Sequence, residues 1–246
     1  MRIAVHGASG RVGTQLVEAI MNAPQFELAA ALVSPASQRI GEPISGTGVE
    51  YRAVDPNMNC RCDVVIDFST PAASNALQAA LGDSPLPVVV GTTGFSEAER
   101  AELRRASGKR PLLMGENLAV GFEAFSQAAK LFADLQPSAA AVVEEVYHAR
   151  KKNAASGTSL RLARLVGQQS GSSDANLDVP IIVHRKGQTV GINTVHFDLG
   201  STELCFTYTV HRLGAYAEGA LSAAQWLADE APGPGLYALA DTLRRP

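Results

Sequence analysis

Over its first 118 residues or so the chain alternates compact apolar runs with segments of helical periodicity. Arg2–His6 is a short apolar run that stops at Gly7. Residues 11–22 then place Val12, Leu16, Ile20 and Met21 at helical spacing. Phe26–Val33 is apolar and compact, as expected of a strand covered on both faces. Val64–Phe68 is another such run, after which Thr70 caps a helix that opens with Pro71. Pro87–Val90 is a fourth strand, and Ser96-x-x-Glu99 forms a capping box for a helix over 97–106. Pro111–Met114 is a fifth. Strand and helix in strict alternation predict a parallel sheet with helices on both faces.

After about residue 120 the pattern changes. A helix over 121–134 leads into a β-rich run at 140–147, 180–186, 190–198 and 203–211. In the last of these, Glu203, Cys205, Thr207 and Thr209 alternate with Leu204, Phe206, Tyr208 and Val210, the period of a sheet with one wet face. A Gly/Ser/Asp-rich loop over 167–178 interrupts the run. Helical periodicity returns at 215–229, followed by a Pro/Gly turn and a short terminal helix. The expected fold is α/β: a parallel-sheet domain from residues 1–120 and 214–246, with an α+β domain carrying a mixed sheet, 121–213, inserted into it.

Composition narrows the function classes. The 246 residues suffice for one large or two small domains, and 46% hydrophobic against 18% charged residues provides a core and excludes wholesale disorder. With 21 Lys and Arg against 24 Asp and Glu, the net charge of −3 gives no electrostatic ground for a nucleic-acid or anionic-membrane partner. No apolar stretch approaches a membrane span, and glycines interrupt the opening segment before a signal-type apolar region can form. Three cysteines, two of them the closely spaced Cys60 and Cys62, suit reduced thiols and a cytoplasmic setting.

The first candidate site is the turn Gly7-Ala8-Ser9-Gly10-Arg11-Val12-Gly13, between the first strand and the first helix. Glycines there let backbone approach a pyrophosphate, and unpaired N–H groups at a helix start favour an anion. A tight turn without a ligand would use the same glycines. Its position at the first strand of an alternating half favours dinucleotide binding. The end of the second strand ordinarily carries an acid that holds the adenine ribose of NAD. Here it reads Leu32-Val33-Ser34-Pro35, followed by Arg39. A hydroxyl and a guanidinium without a carboxylate suit a 2′-phosphate, hence NADPH, with NADH still open; Arg39 on a loop that binds nothing is the competing reading.

Several segments in order resemble the dihydrodipicolinate reductase family: GASGRVG at 7–13, VVIDFSTP at 64–71, VVGTTGFS at 89–96, GENLAVG at 115–121, EVYHARKKNAASGTSL at 145–160 and the closing Gly219–Leu227 segment. The resemblance implies a Rossmann-like nucleotide domain, a substrate domain on a mixed sheet, and a homotetramer assembled through that sheet. It implies that Gly7, Ala8, Ser9, Gly10, Arg11 and Val12 cradle the pyrophosphate. Gly91, Thr92 and Thr93, with Gly115, Asn117 and Leu118, would lie near the nicotinamide, and Phe68 at the carboxyl edge of the sheet. Asp67 beside it has a plainer alternative, capping the next helix.

The family's substrate block, E-x-H-H-x-x-K-x-D-A-P-S-G-T, corresponds to Glu145–Thr158. Lys151, His148 and Ser156-Gly157-Thr158 are retained. A helix opened by Ser-Gly-Thr offers N–H groups and hydroxyls to a carboxylate, and Lys151 adds a positive charge and a proton. A plain helix cap and a solvated basic face are the alternatives. Tyr147 replaces the first His, the family's proposed acid, and a phenol is a more reluctant donor at neutral pH than an imidazole. Asn153 and Ala155 replace the Asp and the Pro. Asn193 and Tyr208 stand where further histidines are usual, so the pocket is rebuilt at several positions.

The resemblance implies a reductase passing hydride from NAD(P)H to a small cyclic imine or conjugated acid, 4-hydroxy-tetrahydrodipicolinate of lysine and diaminopimelate biosynthesis or a close analogue. Lys151, Tyr147 and His148 are the candidate catalytic residues, and His148, Ser156, Gly157 and Thr158 the substrate contacts. A relative with another substrate in specialised metabolism, a non-redox enzyme and a cofactor-binding regulator are the competing readings. His184, His196 and His211 show no metal-ligand spacing along the chain, so no metal is expected. Neither a nucleophile elbow nor a phosphate loop is present.

Overall fold

A computed structural model describes residues 1–55, 61–151, 154–168 and 178–243. In chain order it contains β1 (Arg2–His6), α1 (Arg11–Met21), β2 (Glu27–Val33), β3 (Pro43–Ile44), β4 (Val49–Ala53), β5 (Val64–Asp67), α2 (Pro71–Leu81), β6 (Val88–Val90), α3 (Glu97–Ser107) and β7 (Pro111–Met114). There follow α4 (Phe122–Leu135), β8 (Ala140–Tyr147), α5 (Gly157–Gly167), β9 (Ile181–Arg185), β10 (Gly191–Asp198) and β11 (Glu203–Val210), then α6 (Gly214–Glu230), β12 (Gly235–Ala238) and a 3₁₀ turn at Leu239–Leu243. The chain divides into two compact units, Met1–Val120 with Leu213–Pro246, and Gly121–Arg212. Among the described residues no helix is long and apolar enough to cross a membrane.

The first unit holds an eight-stranded sheet in the order β12-β7-β6-β5-β1-β2-β4-β3, with every neighbouring pair parallel except β3–β4. Strand alternation sends Ile3, Val5 and Ile66 into a core with Leu16 and Ile20 of α1 and Ala220 and Leu227 of α6. Ala4, Leu32 and Val65 face the opposite layer, with Leu77 of α2 and Leu103 of α3. Both helix layers follow from strands whose central positions are apolar on both faces. The chain lays β2 and β4 to one side of β1, then returns to build β5, β6 and β7 on the other, so β1 and β5 flank a topological switch point.

The capping signals act as the sequence predicts. Thr70 Oγ1 accepts from the Ala73 N–H at 3.3 Å. Ser96 and Glu99 form the reciprocal capping box on α3, with the Ser96 N–H donating to Glu99 at 2.7 Å. Ser96→Ala is expected to cost about 1 kcal/mol, lowering the melting temperature by roughly 2–4 °C, as calorimetry would read.

Two pieces of this sheet differ from expectation. The β3–β4 hairpin was not anticipated, because only Tyr51 of β4 is buried and the five-residue strand carries Glu50 and Arg52 outward. The expected Pro/Gly turn at the C-terminus is followed first by β12, which adds to β7 in register from Gly235↔Pro111 to Ala238↔Met114. Only then comes a terminal turn, as a 3₁₀ helix.

The second unit is a four-stranded mixed sheet, β11-β10-β8-β9, antiparallel except for the β8–β9 pair. Val143, Val195, Phe197 and Phe206 point to the face packed on Phe122 and Ala129 of α4 and Leu162 and Val166 of α5. The expected loop over 167–178 begins where α5 ends; its residues 169–177 lie outside the described residues, as do Cys60, Lys152 and Asn153.

Candidate active site

In the first unit, backbone proximity dictates the glycines of the 7–13 turn. Gly7 has φ +78°, and a Cβ there would lie 2.3 Å from the Phe68 carbonyl oxygen. A Cβ on Gly13 would lie 2.1 Å from the Gly7 oxygen, so α1 can start this close to β1 only without a side chain. The N–H groups of Gly7 and Ala8 both donate to Leu32 O, at 2.9 and 3.1 Å, and that of Gly10 donates to Gly7 O at 2.9 Å. Unlike α2 and α3, α1 has no side-chain cap. Its opening N–H groups at Arg11 and Val12 therefore face outward as donors.

Beside this turn lies a cleft of about 710 Å³ at the carboxyl ends of β1, β2 and β5. Ser9 and Gly10 form one wall, Val33, Ser34 and Pro35 another, and Phe68 a third. The α2 wall is kept thin by Ala73, Ala76 and Ala80, at helical spacing. Ser34 lines the cleft. Arg39 is engaged elsewhere: Nε donates to Glu42 at 2.8 Å and the guanidinium stacks 4.1 Å from the Tyr51 ring.

Asp67 does not cap α2, a task that falls to Thr70. Its Oδ1 accepts from the Ser69 N–H at 3.0 Å and lies 3.0 Å from Nδ1 of His6, both side chains being buried. The Phe68 ring packs so closely on Gly91 that a Cβ there would be 2.3 Å away, and Gly115 is pressed likewise by Leu118. Thr92 is buried, accepting from the Ser69 N–H at 2.9 Å, and Asn117 Oδ1 accepts from the Ala119 N–H at 3.0 Å. Thr92 and Asn117 thus shape the loops, while Thr93 is exposed.

The second unit organises the 145–158 block around a buried carboxylate. Glu145 Oε2 accepts from the Ser156 N–H at 2.9 Å and from Ser159 Oγ at 2.5 Å, and Oε1 accepts from Arg185 Nη2 at 2.8 Å. These donors hold its carboxyl below the usual range against the opposing effect of burial. Arg185 also donates to the carbonyls of His184 and Ala154, at 2.8 and 2.7 Å, tying β9 to the start of α5.

Two of the positions that depart from the family motif meet here. Tyr147 donates to Asn193 Oδ1 at 3.3 Å, and Asn193 Nδ2 donates to Ser159 Oγ at 3.0 Å, so both replacements join the Glu145 network. Burial pushes the Tyr147 phenol up, against hydrogen bonds with Ser156, Thr158 and Asn193 that pull it down. The Lys151 ammonium sits 4.4 Å from the Tyr147 ring centroid. At the start of α5 Ser156 caps Ser159, leaving the N–H groups of Gly157 and Thr158 as helix-start donors, and a Cβ on Gly157 would meet only open space. Tyr208 has become part of an aromatic cluster, stacked 5.5 Å from Phe125. Sequence reasoning assigned no part to Arg185 or Ser159. Strand pairing is what brings Arg185 beside Tyr147.

Comparison with known proteins gives this geometry a family. Models described as the N-terminus and the C-terminus of dihydrodipicolinate reductase match residues 1–118 and 118–243. The chain belongs to the dihydrodipicolinate reductase family. It is 31% identical to the 4-hydroxy-tetrahydrodipicolinate reductase of Saccharophagus degradans over 271 aligned residues, covering 98% of each chain. The enzyme of the same name from Thiobacillus denitrificans is also 31% identical, over 99% of this chain and 98% of its own. In fold it matches the dipicolinate-bound dihydrodipicolinate reductase of Paenisporosarcina sp. TG-14, with a TM-score of 0.77, 18% identity and 97% of both chains covered. As a dihydrodipicolinate reductase-type oxidoreductase, the chain carries a nicotinamide-nucleotide domain at its N-terminus.

Proposed function

We propose that this family member reduces 4-hydroxy-tetrahydrodipicolinate, or a cyclic carboxylated imine closely like it, with NADPH as the preferred donor. The observation that carries the reading is the start of α5, where Ser156 caps Ser159 and leaves the Gly157 and Thr158 N–H groups as donors; with Lys151, held on the Tyr147 ring, these would receive a carboxylate. The Gly7–Val12 turn would hold the pyrophosphate, and the adjoining cleft has room for the adenosine half. Ser34, where an acid would otherwise hold a 2′-hydroxyl, supports NADPH. Arg39, already paired with Glu42, adds to the preference only by exchanging that partner. Held at the Gly7–Val12 turn, the nucleotide would supply hydride to a ring carbon; this chain's own residues would supply the proton, and a 4-hydroxyl on the ring would leave as water.

Lys151 delivers that proton and holds the substrate carboxylate, with His148 next to it in the chain as the second candidate. Tyr147, buried and committed to Asn193, is a positioning residue that seats Lys151 on its ring. The family's cytoplasmic setting and homotetramer are part of the same reading.

The test is oxidation of NADPH and NADH by the purified protein with enzymatically generated 4-hydroxy-tetrahydrodipicolinate. Turnover favouring NADPH is expected. Lys151→Ala should lower kcat by about 100-fold with cofactor binding intact, whereas Tyr147→Phe should stay within about threefold, a phenol acid being worth far more. Tight cofactor binding without turnover would exclude this substrate. Equal losses in both variants would return the proton to Tyr147.

A further inference from the structure

The four-stranded sheet of the second unit has one face packed on α4 and α5 and an opposite face bearing a polar cluster that the proposed reaction does not use. Strand register puts His196 of β10 directly opposite Cys205 of β11, with Glu203 two residues before it on the same face. His196 Nδ1 lies 3.1 Å from Glu203 Oε1 and 3.2 Å from Cys205 Sγ, and Sγ lies 3.2 Å from the same Oε1. One nitrogen, one oxygen and one sulfur therefore form a nearly equilateral triangle, each side at hydrogen-bond distance.

The other side of the imidazole is built as well. His196 Nε2 lies 3.0 Å from Glu144 Oε2, and the other oxygen of Glu144 lies 3.3 Å from His184 Nε2. A histidine whose outer nitrogen donates to a carboxylate presents its inner nitrogen as a lone pair, which is how metal-ligating histidines are oriented. We propose that His196, Glu203 and Cys205 bind one divalent zinc-class ion on this face, with Glu144 orienting His196. An ion at the roughly 2.0–2.3 Å of such bonds sits just outside the triangle, with water completing a tetrahedron. Thiolate with imidazole selects zinc, cobalt or copper over magnesium or calcium. Binding releases the Cys205 proton to solvent, and the ion staples β11 to β10 without changing the oxidation state of any group. All the ligands come from one chain, so the site needs no second subunit.

The test is titration of the metal-free full-length protein with Co²⁺, followed by displacement with Zn²⁺. One cobalt per chain is expected, with a thiolate-to-cobalt charge-transfer band that zinc abolishes. The band should persist in a Cys60→Ser/Cys62→Ser background and vanish in Cys205→Ser and in His196→Gln. Glu144→Gln should weaken binding by roughly 10–100-fold. An unchanged circular-dichroism spectrum and melting temperature of the metal-free protein in all these variants report that they fold. A wild type with no such band, or a band that survives Cys205→Ser or disappears with Cys60 and Cys62, would overturn the site.

Discussion

Gly13→Ala is expected to abolish saturable NADPH binding. The added Cβ would lie 2.1 Å from the Gly7 carbonyl oxygen and 2.9 Å from the Ala8 Cα, both of them backbone atoms with no side-chain rotamer to swing away. Relief requires α1 to lift from β1, yet both neighbouring N–H groups of the turn are pinned to Leu32 O at 2.9 and 3.1 Å. The helix start would then no longer aim the Arg11 and Val12 N–H groups at the pyrophosphate. The expected cost is about 4 kcal/mol, at the upper end for a single substitution, which is roughly 1000-fold in Kd. Gly10→Ala grades the effect. It would place a Cβ 3.0 Å from the same oxygen on an ordinary extended backbone, and should lose much less. Quenching of Trp226 fluorescence by NADPH, or calorimetric titration, would measure both. If Gly13→Ala bound within threefold of the wild type, the turn would not be the pyrophosphate site.

That turn was legible in the sequence because its constraint is local: three glycines within seven residues, between a strand and a helix. The parallel sheet was legible for a similar reason, since the strands covered on both faces are apolar at consecutive central positions and do not alternate. The β3–β4 edge hides because only Tyr51 of β4 is buried, and β12 because Pro232, Gly233 and Pro234 signal a turn whose continuation, Gly235–Ala238, gains its place only by pairing with β7. Gly219 shows the same limit. Within the α6 pattern it is one small residue among many, yet a Cβ on it would lie 1.6 Å from Leu118 O, so the helix rests directly on the 115–120 loop. Arg110 is wholly buried and donates to Gly82 O at 2.5 Å, a placement that a count of charges gives no reason to expect.

The substrate block divides in the same way. Lys151 and the Ser156-Gly157-Thr158 start are contiguous and could be read directly. The departures at Tyr147 and Asn193 could be read as separate losses of histidine, but not as a pair. They are 46 residues apart and meet only because β8 and β10 are antiparallel neighbours with Glu145 opposite Asn193. Seen together they amount to an exchange. Where the resemblance leads one to expect two imidazoles, this chain has a phenol and an amide that hydrogen-bond each other and link to Glu145 through Ser159. With the phenol buried and hydrogen-bonded to Asn193, Lys151 and His148 are the groups to which the proposed reading gives the proton.

The stability of that arrangement depends on the carboxylate at its centre. Glu145→Ala would leave Arg185, whose side chain is only 11% exposed, without its buried counter-charge, and would strip the Ser156 N–H and the Ser159 hydroxyl of their acceptor. Removing one partner of a buried ion pair costs about 3–5 kcal/mol. Melting of the variant should fall by roughly 6–20 °C at the 2–4 °C per kcal/mol expected of a chain this size. Glu145→Gln keeps an acceptor and should lose less. The pH dependence has a definite sign. The Glu145 carboxyl is held below its usual value in the folded chain, so its contribution is complete above the unfolded value near 4.3 and disappears as pH falls through the folded value. Urea denaturation at pH 7 and at successively lower pH should therefore find the wild type converging on Glu145→Gln in acid. A difference that stayed constant with pH would mean that hydrogen-bond geometry, and not the charge of Glu145, secures Arg185, Ser159 and the start of α5.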